Sequence, residues 1–515
     1  MVERRRWAAL AAAAVLSLTG VTPAAAASPR VGAASAANRF VTGWIPYWMA
    51  QSGTAVLTGT TSAPLVSEVS VMGYSQDLVS LSSNVTSIGN ATRAAGLPLI
   101  PTVFGPRTDV LDPAKVTAHA QAIADLVKAK GYDGIDIDYE FVWSVPKSDW
   151  PTLRTRWVAF VKLLAGKLHA QGKILSVTVP PVWNSGSSGY WVYDQPAIAP
   201  HVDRLRLMVY DWSISNPGNI APSYWVNSVI SYSTDTAKVP PKKLQLGVPT
   251  YGRHWWTKKV SSEVCPDGAL KKVDSVMQKE VAALVAGKAA NATRVNGEMK
   301  YTWDEQVTGL SELPPPYDPV VGGLLGVVGA AKRAGLVPAV RLGAPRTVTC
   351  TVQHVVYVPD AVTIVSNATA ALARGWSGIT MWTFGYERSD VWDALAAVSP
   401  QRAAGAPAVT VAPITSSVLA TGKRSVTVTG TAFDPQWDLP RAVRIDLKQG
   451  TSVIGTSTVL ANRTTTLAAS LAGIGPFHGY VRAIVVPAGT YTVCATALRW
   501  GGGDLAQRCT TYTAT

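Results

Sequence analysis

The chain has 515 residues, 46 Lys and Arg against 32 Asp and Glu, and a formal net charge of +14 at pH 7. That length is too great for one ordinary domain unless most of it forms a barrel of about 250 residues or more, and two domains plus an insertion would fit. The basic residues are dispersed, with no polybasic stripe of the kind that binds nucleic acid, so the excess charge points to adhesion to anionic surfaces such as a bacterial cell wall.

Residues 1–27 read as a secretory signal peptide. Arg4, Arg5 and Arg6 precede an apolar run from Trp7 to about Val21, followed by Pro23 and the small residues Ala25, Ala26 and Ala27. A membrane anchor is the competing reading, but the Ala-rich run is short for a bilayer span. An exported protein is therefore expected, secreted or associated with the wall. From about residue 39, apolar extended runs alternate with helical patterns. The runs are Val41 to Tyr47, Glu68 to Tyr74, Leu97 to Phe104, Gly134 to Glu140, Ile174 to Val179, Leu205 to Tyr210, Leu244 to Tyr251 and Gly378 to Phe384. Between them Val116, Ala120, Ile123 and Val127 form one helical stripe. Leu153, Trp157, Phe160, Val161, Leu164 and Leu168 form another, with Pro151 where a first helical turn tolerates proline. Eight strands alternating with helices predict an α/β fold, a (β/α)8 barrel over residues 39–400. A doubly wound open sheet is the alternative, but no Gly-x-Gly-x-x-Gly follows the first strand.

The fourth run concentrates acid in a chain otherwise short of it. In Gly134 to Glu140 the residues Ile135, Ile137 and Tyr139 fall on one face of a strand, and Asp136, Asp138 and Glu140 on the other. Successive carboxylates lie roughly 6.5–7 Å apart, close enough for like charges to raise at least one pKa. A carboxyl that stays protonated near neutral pH suits a general acid, and Glu140 reaches furthest from the strand end. A solvated strand face and an oxygen-ligand site for magnesium or calcium are the competing readings. In a barrel, catalytic groups sit at the C-terminal ends of strands. Tyr47, Tyr210, Asp211, Tyr251 and Trp382 end their strands in that way and are expected to converge with Glu140 on one mouth.

Between the seventh and eighth strands about residues 257–355 exceed a normal loop and predict an inserted subdomain, with helical stretches such as Ala269 to Val285. Cys265, Cys350, Cys494 and Cys509 suit two disulfides in an exported protein, Cys265 with Cys350 and Cys494 with Cys509. No Cys/His cluster has zinc spacing, and neither metal nor cofactor is expected. Residues 401–413 are Ala/Pro-rich and read as a linker. Short β-branched runs from 414 to 515 predict a small β-sandwich.

The motifs on four strands resemble those of glycoside hydrolase family 18, the chitinase family. Asp133-Gly134-Ile135-Asp136-Ile137-Asp138-Tyr139-Glu140 is similar to its fourth-strand signature, and Met208-Val209-Tyr210-Asp211 to its sixth-strand motif. Leu246 to Arg253 resembles its seventh strand and Gly378 to Trp382 its eighth-strand tryptophan segment. The third strand, Leu97 to Gly105, lacks the family's common Ser-x-Gly-Gly segment, and Tyr139 replaces a more usual tryptophan. Together with Trp212-Ser213 and Arg253-His254-Trp255-Trp256, these differences bring the chain near the branch of spore-cortex and cell-wall hydrolases. The C-terminal part resembles immunoglobulin-like modules of secreted wall enzymes through Thr431 to Pro435, His478-Gly479 and Gly489 to Cys494.

The resemblance implies a retaining glycosidase acting on β-1,4 bonds beside N-acetylglucosamine, in chitin, chito-oligosaccharides or peptidoglycan. Glu140 would protonate the glycosidic oxygen and then activate water. Asp138 would orient the substrate's N-acetyl group for attack by its own carbonyl oxygen, sharing a proton with Asp136, and Tyr210 would donate to that oxygen. Most glycosidases work with two carboxylates across the bond, and this substrate-assisted scheme is an exception that needs no enzyme nucleophile. Met208, Asp211 and Trp382 would line the sugar pocket, with Tyr47, Tyr251 and Arg253 as further substrate contacts. The implied partner is an N-acetylglucosamine-containing polysaccharide, bound by a monomer. A lectin-like barrel without activity is the alternative, although such relatives usually lack the terminal glutamate.

Overall fold

The computed structural model describes residues 39–271, 273–311, 346–400, 405–467 and 469–515. The expected signal peptide and residues 401–404 of the expected linker lie outside them. The barrel strands are β1 (Val41–Pro46), β2 (Val66–Ser75), β3 (Thr102–Gly105), β4 (Gly134–Tyr139), β5 (Ile174–Val179), β6 (Arg204–Leu207) and β7 (Leu244–Pro249). After five strands of an insertion, β8 to β12, the eighth barrel strand is β13 (Gly378–Trp382). The closed order β1-β13-β7-β6-β5-β4-β3-β2 is parallel throughout, as expected of a (β/α)8 barrel.

The outer faces of the strands carry the apolar residues. Val41, Ile45, Val69, Val71, Ile135, Ile137 and Val177 are wholly buried in one cluster with the helical stripes. In the helix Trp150–His169 the six predicted stripe residues are all buried, and Pro151 sits in the first turn. Each such side chain contributes about 1.5–3 kcal/mol by leaving water.

The interior of the barrel is polar, which the near-continuous apolar reading of the strands did not anticipate. Bonds between strands that are not neighbours can only cross the inside. The Trp44 indole of β1 donates to Asp136 of β4 (3.2 Å), and the Arg206 guanidinium of β6 donates to Ser70 of β2 (2.5 Å) and pairs with Glu68. Thr42, Gln245 and Thr380 occupy other interior positions, all at most 1% exposed.

Among the described residues, which leave out 312–345, the insertion forms a five-stranded antiparallel sheet in the order β10-β11-β12-β8-β9. Its strands are β8 (Tyr251–Lys258), β9 (Asp274–Met277), β10 (Asn291–Val295), β11 (Glu298–Ser311) and β12 (Arg346–Val358). The helix expected over Ala269 to Val285 is therefore corrected: β9 occupies its middle, pairing Val276 with Gly252, and among the described residues of the stretch the helical part is confined to a 3-10 turn at Gln278–Glu280 and the α-helix Val281–Val285. Pairing with the exposed edge of β8 supplies the ladder bonds that a short helix there would lack. The expected seventh strand, Leu244 to Tyr251, divides at Thr250, so Tyr251 and Arg253 belong to the insertion sheet. The Cys265–Cys350 and Cys494–Cys509 disulfides form as expected.

The C-terminal part packs two antiparallel sheets. One has the order β14-β16-β20-β19, with β15 on β16, and the other is β18-β17-β21-β22. Their bounds are β14 (Ala408–Val409), β15 (Thr415–Val418), β16 (Arg424–Phe433), β17 (Ala442–Gln449), β18 (Ser452–Leu460), β19 (Arg463–Thr464), β20 (Phe477–Val486), β21 (Gly489–Leu498) and β22 (Asp504–Ala514). Val428, Ile445, Tyr480 and Val493 fill the space between the sheets. Ala408 and Val409, inside the expected linker, pair with Phe433 and Ala432.

This sandwich closes the N-terminal end of the barrel. Trp437, Leu439 and Leu460 belong to the same buried cluster as the barrel core. The Trp437 indole donates to the Ser67 carbonyl (2.9 Å), and the Gly501 amide donates to Asp133 (3.0 Å). A buried chain of charges then runs from the sandwich to the acidic strand. Asp438 pairs with Arg204, Arg204 lies 3.6 Å from Glu68, Glu68 pairs with Arg206, and Arg206 lies 3.5 Å from Asp136.

Candidate active site

Asp136, Asp138 and Glu140 stand where the alternation of β4 puts them, in a line rising from the barrel interior to its C-terminal mouth. Asp136 is fully enclosed. Ser176 donates to it at 2.7 Å, Thr102 at 2.9 Å and Thr178 at 3.0 Å, in addition to the Trp44 indole and the nearby Arg206. With both oxygens engaged, this residue is held in one orientation and is not open to a metal. Among the described residues no group of three His, Cys, Asp or Glu side chains is placed to hold a metal ion.

Asp138 is 5% exposed, and its Oδ1 is buried without a hydrogen-bond partner. Burial above all, then the charges of Glu140 and Asp136, push its carboxyl well above the usual range. Glu140 follows the last residue of β4. Burial pushes its carboxyl up as well, the Trp143 indole opposes this by donating to Oε2 at 2.9 Å, and the charge of Asp211 adds to it. Two protonatable acids in line, the outer one facing a cavity, can deliver and recover a proton.

Glu140 opens into a cavity of about 210 Å3, whose walls include Trp143, Trp183, Tyr190, Met208, Tyr210 and Asp211. Tyr210 lies beyond the end of β6 in irregular chain. Burial, followed by the neighbouring Tyr251 and then the acids, pushes its hydroxyl well above its ordinary value, so it remains a donor. Gly247 of β7 makes room for it: a Cβ there would stand 2.3 Å from the Leu207 carbonyl oxygen and 3.1 Å from the Tyr210 ring. Asp211 adopts φ 60°, a left-handed conformation unusual for a side-chain-bearing residue. Tyr251 (2.5 Å) and Arg253 (2.7 Å), projecting from β8, donate to it and hold it at the cavity edge.

Tyr251 and Arg253 thus reach the site through Asp211. Trp382 ends β13, packs edge-to-face on Trp44 at 5.8 Å, and joins Tyr210 and Tyr251 in the cluster that seats the insertion beside the mouth. Tyr47 follows β1, stacks edge-on with Trp48 at 4.9 Å and does not line the 210 Å3 cavity. Sequence reasoning missed Trp143, Trp183 and Tyr190, which come from loops, and the enclosure of Asp136. The polar alternation of Ser176 and Thr178 on β5, and of Arg204 and Arg206 on β6, was the available signal.

A closed parallel barrel with an acid row rising to its mouth places this molecule among the barrel glycosidases. The chain belongs to the glycosyl hydrolases of family 18, whose model matches residues 107–387. It is 32% identical over 146 residues to a protein of Bacillus subtilis (strain 168) named as a putative sporulation-specific glycosylase, YdhD, covering 28% of this chain and 33% of that one. The chain spans about a third of the length of this relative and of a second glycosylase of the same organism, YvbX. Among solved structures, a chitinase from Chromobacterium violaceum superposes with a TM-score of 0.52 at 19% identity, covering 70% of this chain and 100% of that one. The Bacillus cereus spore cortex-lytic enzyme SleL gives 0.50 at 18% identity, over 69% and 73% of the two chains. At such identities the two structures speak to the fold alone.

Proposed function

We propose that this protein is a secreted, retaining glycosidase that cleaves β-1,4 bonds beside N-acetylglucosamine by substrate-assisted catalysis. One observation carries the reading: the unpartnered Oδ1 of Asp138, buried between the enclosed Asp136 and the cavity-facing Glu140. A buried acceptor left without a donor is costly, and a substrate amide N–H is the donor it would take. Bound in that way, the N-acetyl group turns its carbonyl oxygen toward the anomeric carbon, while the Tyr210 hydroxyl donates to that oxygen and steadies the developing charge. Glu140 protonates the departing glycosidic oxygen, then takes a proton from the water that opens the cyclic intermediate. Trp48, Trp143 and Trp212, at 50%, 61% and 41% exposure, follow strands β1, β4 and β6 and offer ring faces to flanking sugars.

Chitin and its oligomers are the first substrate class. Peptidoglycan is the second, favoured by the sporulation-linked name of the 32%-identical relative and by the basic charge, which is +14 for the full sequence and +14 − 2 = +12 without Glu3 and the three arginines of the expected signal peptide, and suits an anionic wall. Incubation with N-acetylglucosamine oligomers and with purified peptidoglycan, followed by mass spectrometry, separates the two. Dimers and trimers from the oligomers identify a chitinase. Muropeptides with reducing N-acetylglucosamine ends identify a wall glucosaminidase. Equal cleavage of fully de-N-acetylated oligomers would contradict the substrate-assisted scheme.

A further inference from the structure

A second cavity, of about 900 Å3, opens on the flank of the barrel far down toward its N-terminal end, at the seam with the sandwich. The barrel contributes Lys162, His169, His201, Lys238 and Lys243, and the sandwich contributes Asn462, Arg463, Thr464 and Phe477. Neither part alone makes the site.

Its charge is one-sided. Lys243 is only 8% exposed, yet its ammonium has a carbonyl for a partner, Ala199 at 2.9 Å, and the face of Phe477 at 4.9 Å. Asp203, whose field reaches Lys243, already accepts from His169 (2.9 Å), the Leu175 amide (2.9 Å) and Asn462 (3.2 Å). Lys162, Lys238 and Arg463 make no ion pair with a carboxylate among the described residues, whereas Arg93, Arg154, Arg253, Arg294 and Arg374 all do. The cations act against one another: burial first, then Lys162, Lys243 and His169, hold His201 below its ordinary value. Like charges gathered in a concave, partly dry site raise the local potential and draw in an anion.

We propose that this cavity binds phosphate groups of an anionic polymer with phosphodiester links. Three lysines and one arginine supply mostly compact point charges, which suit a tetrahedral oxyanion approached from several sides. The volume exceeds that of one phosphate, so neighbouring repeat units fit as well, with Asn462 and Thr464 available to their hydroxyls. Docking there leaves the catalytic mouth free, and the proposal stands whether or not the barrel hydrolyses glycans.

The test is calorimetric titration of the full chain with poly(glycerol phosphate), inorganic phosphate and polyglutamate. The proposal expects the phosphate polymer to bind tighter than either other probe, by about tenfold or more, with affinity falling as salt rises. The exposed-residue variant Lys162→Ala/Lys238→Ala/Arg463→Ala should lose that binding. The variant Lys128→Ala/Lys130→Ala/Lys423→Ala, which loses the same charge elsewhere, should keep it, and both should hydrolyse soluble substrate like the parent. Equal loss in the two variants would reduce the effect to net charge and overturn the site. Equal binding of polyglutamate would overturn the phosphate preference, and inorganic phosphate binding as tightly as the polymer would overturn the polymeric ligand.

Discussion

Glu140 feels two neighbours of opposite effect, Trp143 as a donor to its carboxylate and Asp211 as a like charge. As an acid it must be protonated, so turnover is lost as pH rises through its raised pKa. Trp143→Phe removes the bond that favours the charged form and should move the alkaline limb of kcat to higher pH. Asp211→Asn removes the repulsion and should move that limb lower. A kcat–pH profile for each variant checks this, and shifts of the same sign in both would contradict the assignment of Glu140 as the acid. At this scale the row on β4 was legible because strand alternation alone puts Asp136, Asp138 and Glu140 on one face. Trp143 and Tyr190 were not, because they reach the cavity from loops whose course no periodicity fixes. The roles of Ser176 and Arg206 depend on which strands face each other across the barrel, a relation that appears only on closure.

The strands themselves were legible and their interior was not. Hydrophobic runs mark where β1 to β7 and β13 lie, because their outer faces pack on helices, but the same runs conceal the polar inner positions. Arg206 is central to that interior, fully buried between Glu68 and Asp136. Arg206→Met should lower stability by about 3–5 kcal/mol by leaving buried carboxylates without their cation. Arg206→Met/Glu68→Leu should recover part of the loss, since the emptied pair no longer strands a charge. Denaturant midpoints of the two variants measure this, and a single variant as stable as the parent would show that the pair is dispensable. The insertion teaches the complementary lesson. Ala269 to Val285 carries helix-forming residues, but the free edge of β8 offers Val276 a ladder partner, and that distant pairing prevails over local preference.

For the whole molecule, the Ala/Pro-rich stretch before residue 414 suggested a tethered sandwich, and the structure shows one seated in the barrel floor. Nothing in the local sequence around Trp437 and Leu439 announces that contact, since its partners Ser67 and Arg204 are hundreds of residues away. A chain ending at Pro400 should lose the cooperative unfolding of the parent and aggregate, because it exposes the buried Arg204 and Glu68 together with the apolar surface under Trp437. Size exclusion and thermal unfolding of the truncated chain check this, and a monomeric barrel melting like the parent would contradict it. The central claim, that Glu140 drives glycoside hydrolysis in the cleft above this floor, is tested most directly by Glu140→Gln. Product release from N-acetylglucosamine oligomers and peptidoglycan, followed by mass spectrometry beside a binding isotherm, should fall by about 10²–10⁴-fold with binding retained. Undiminished product release from the variant would contradict that claim.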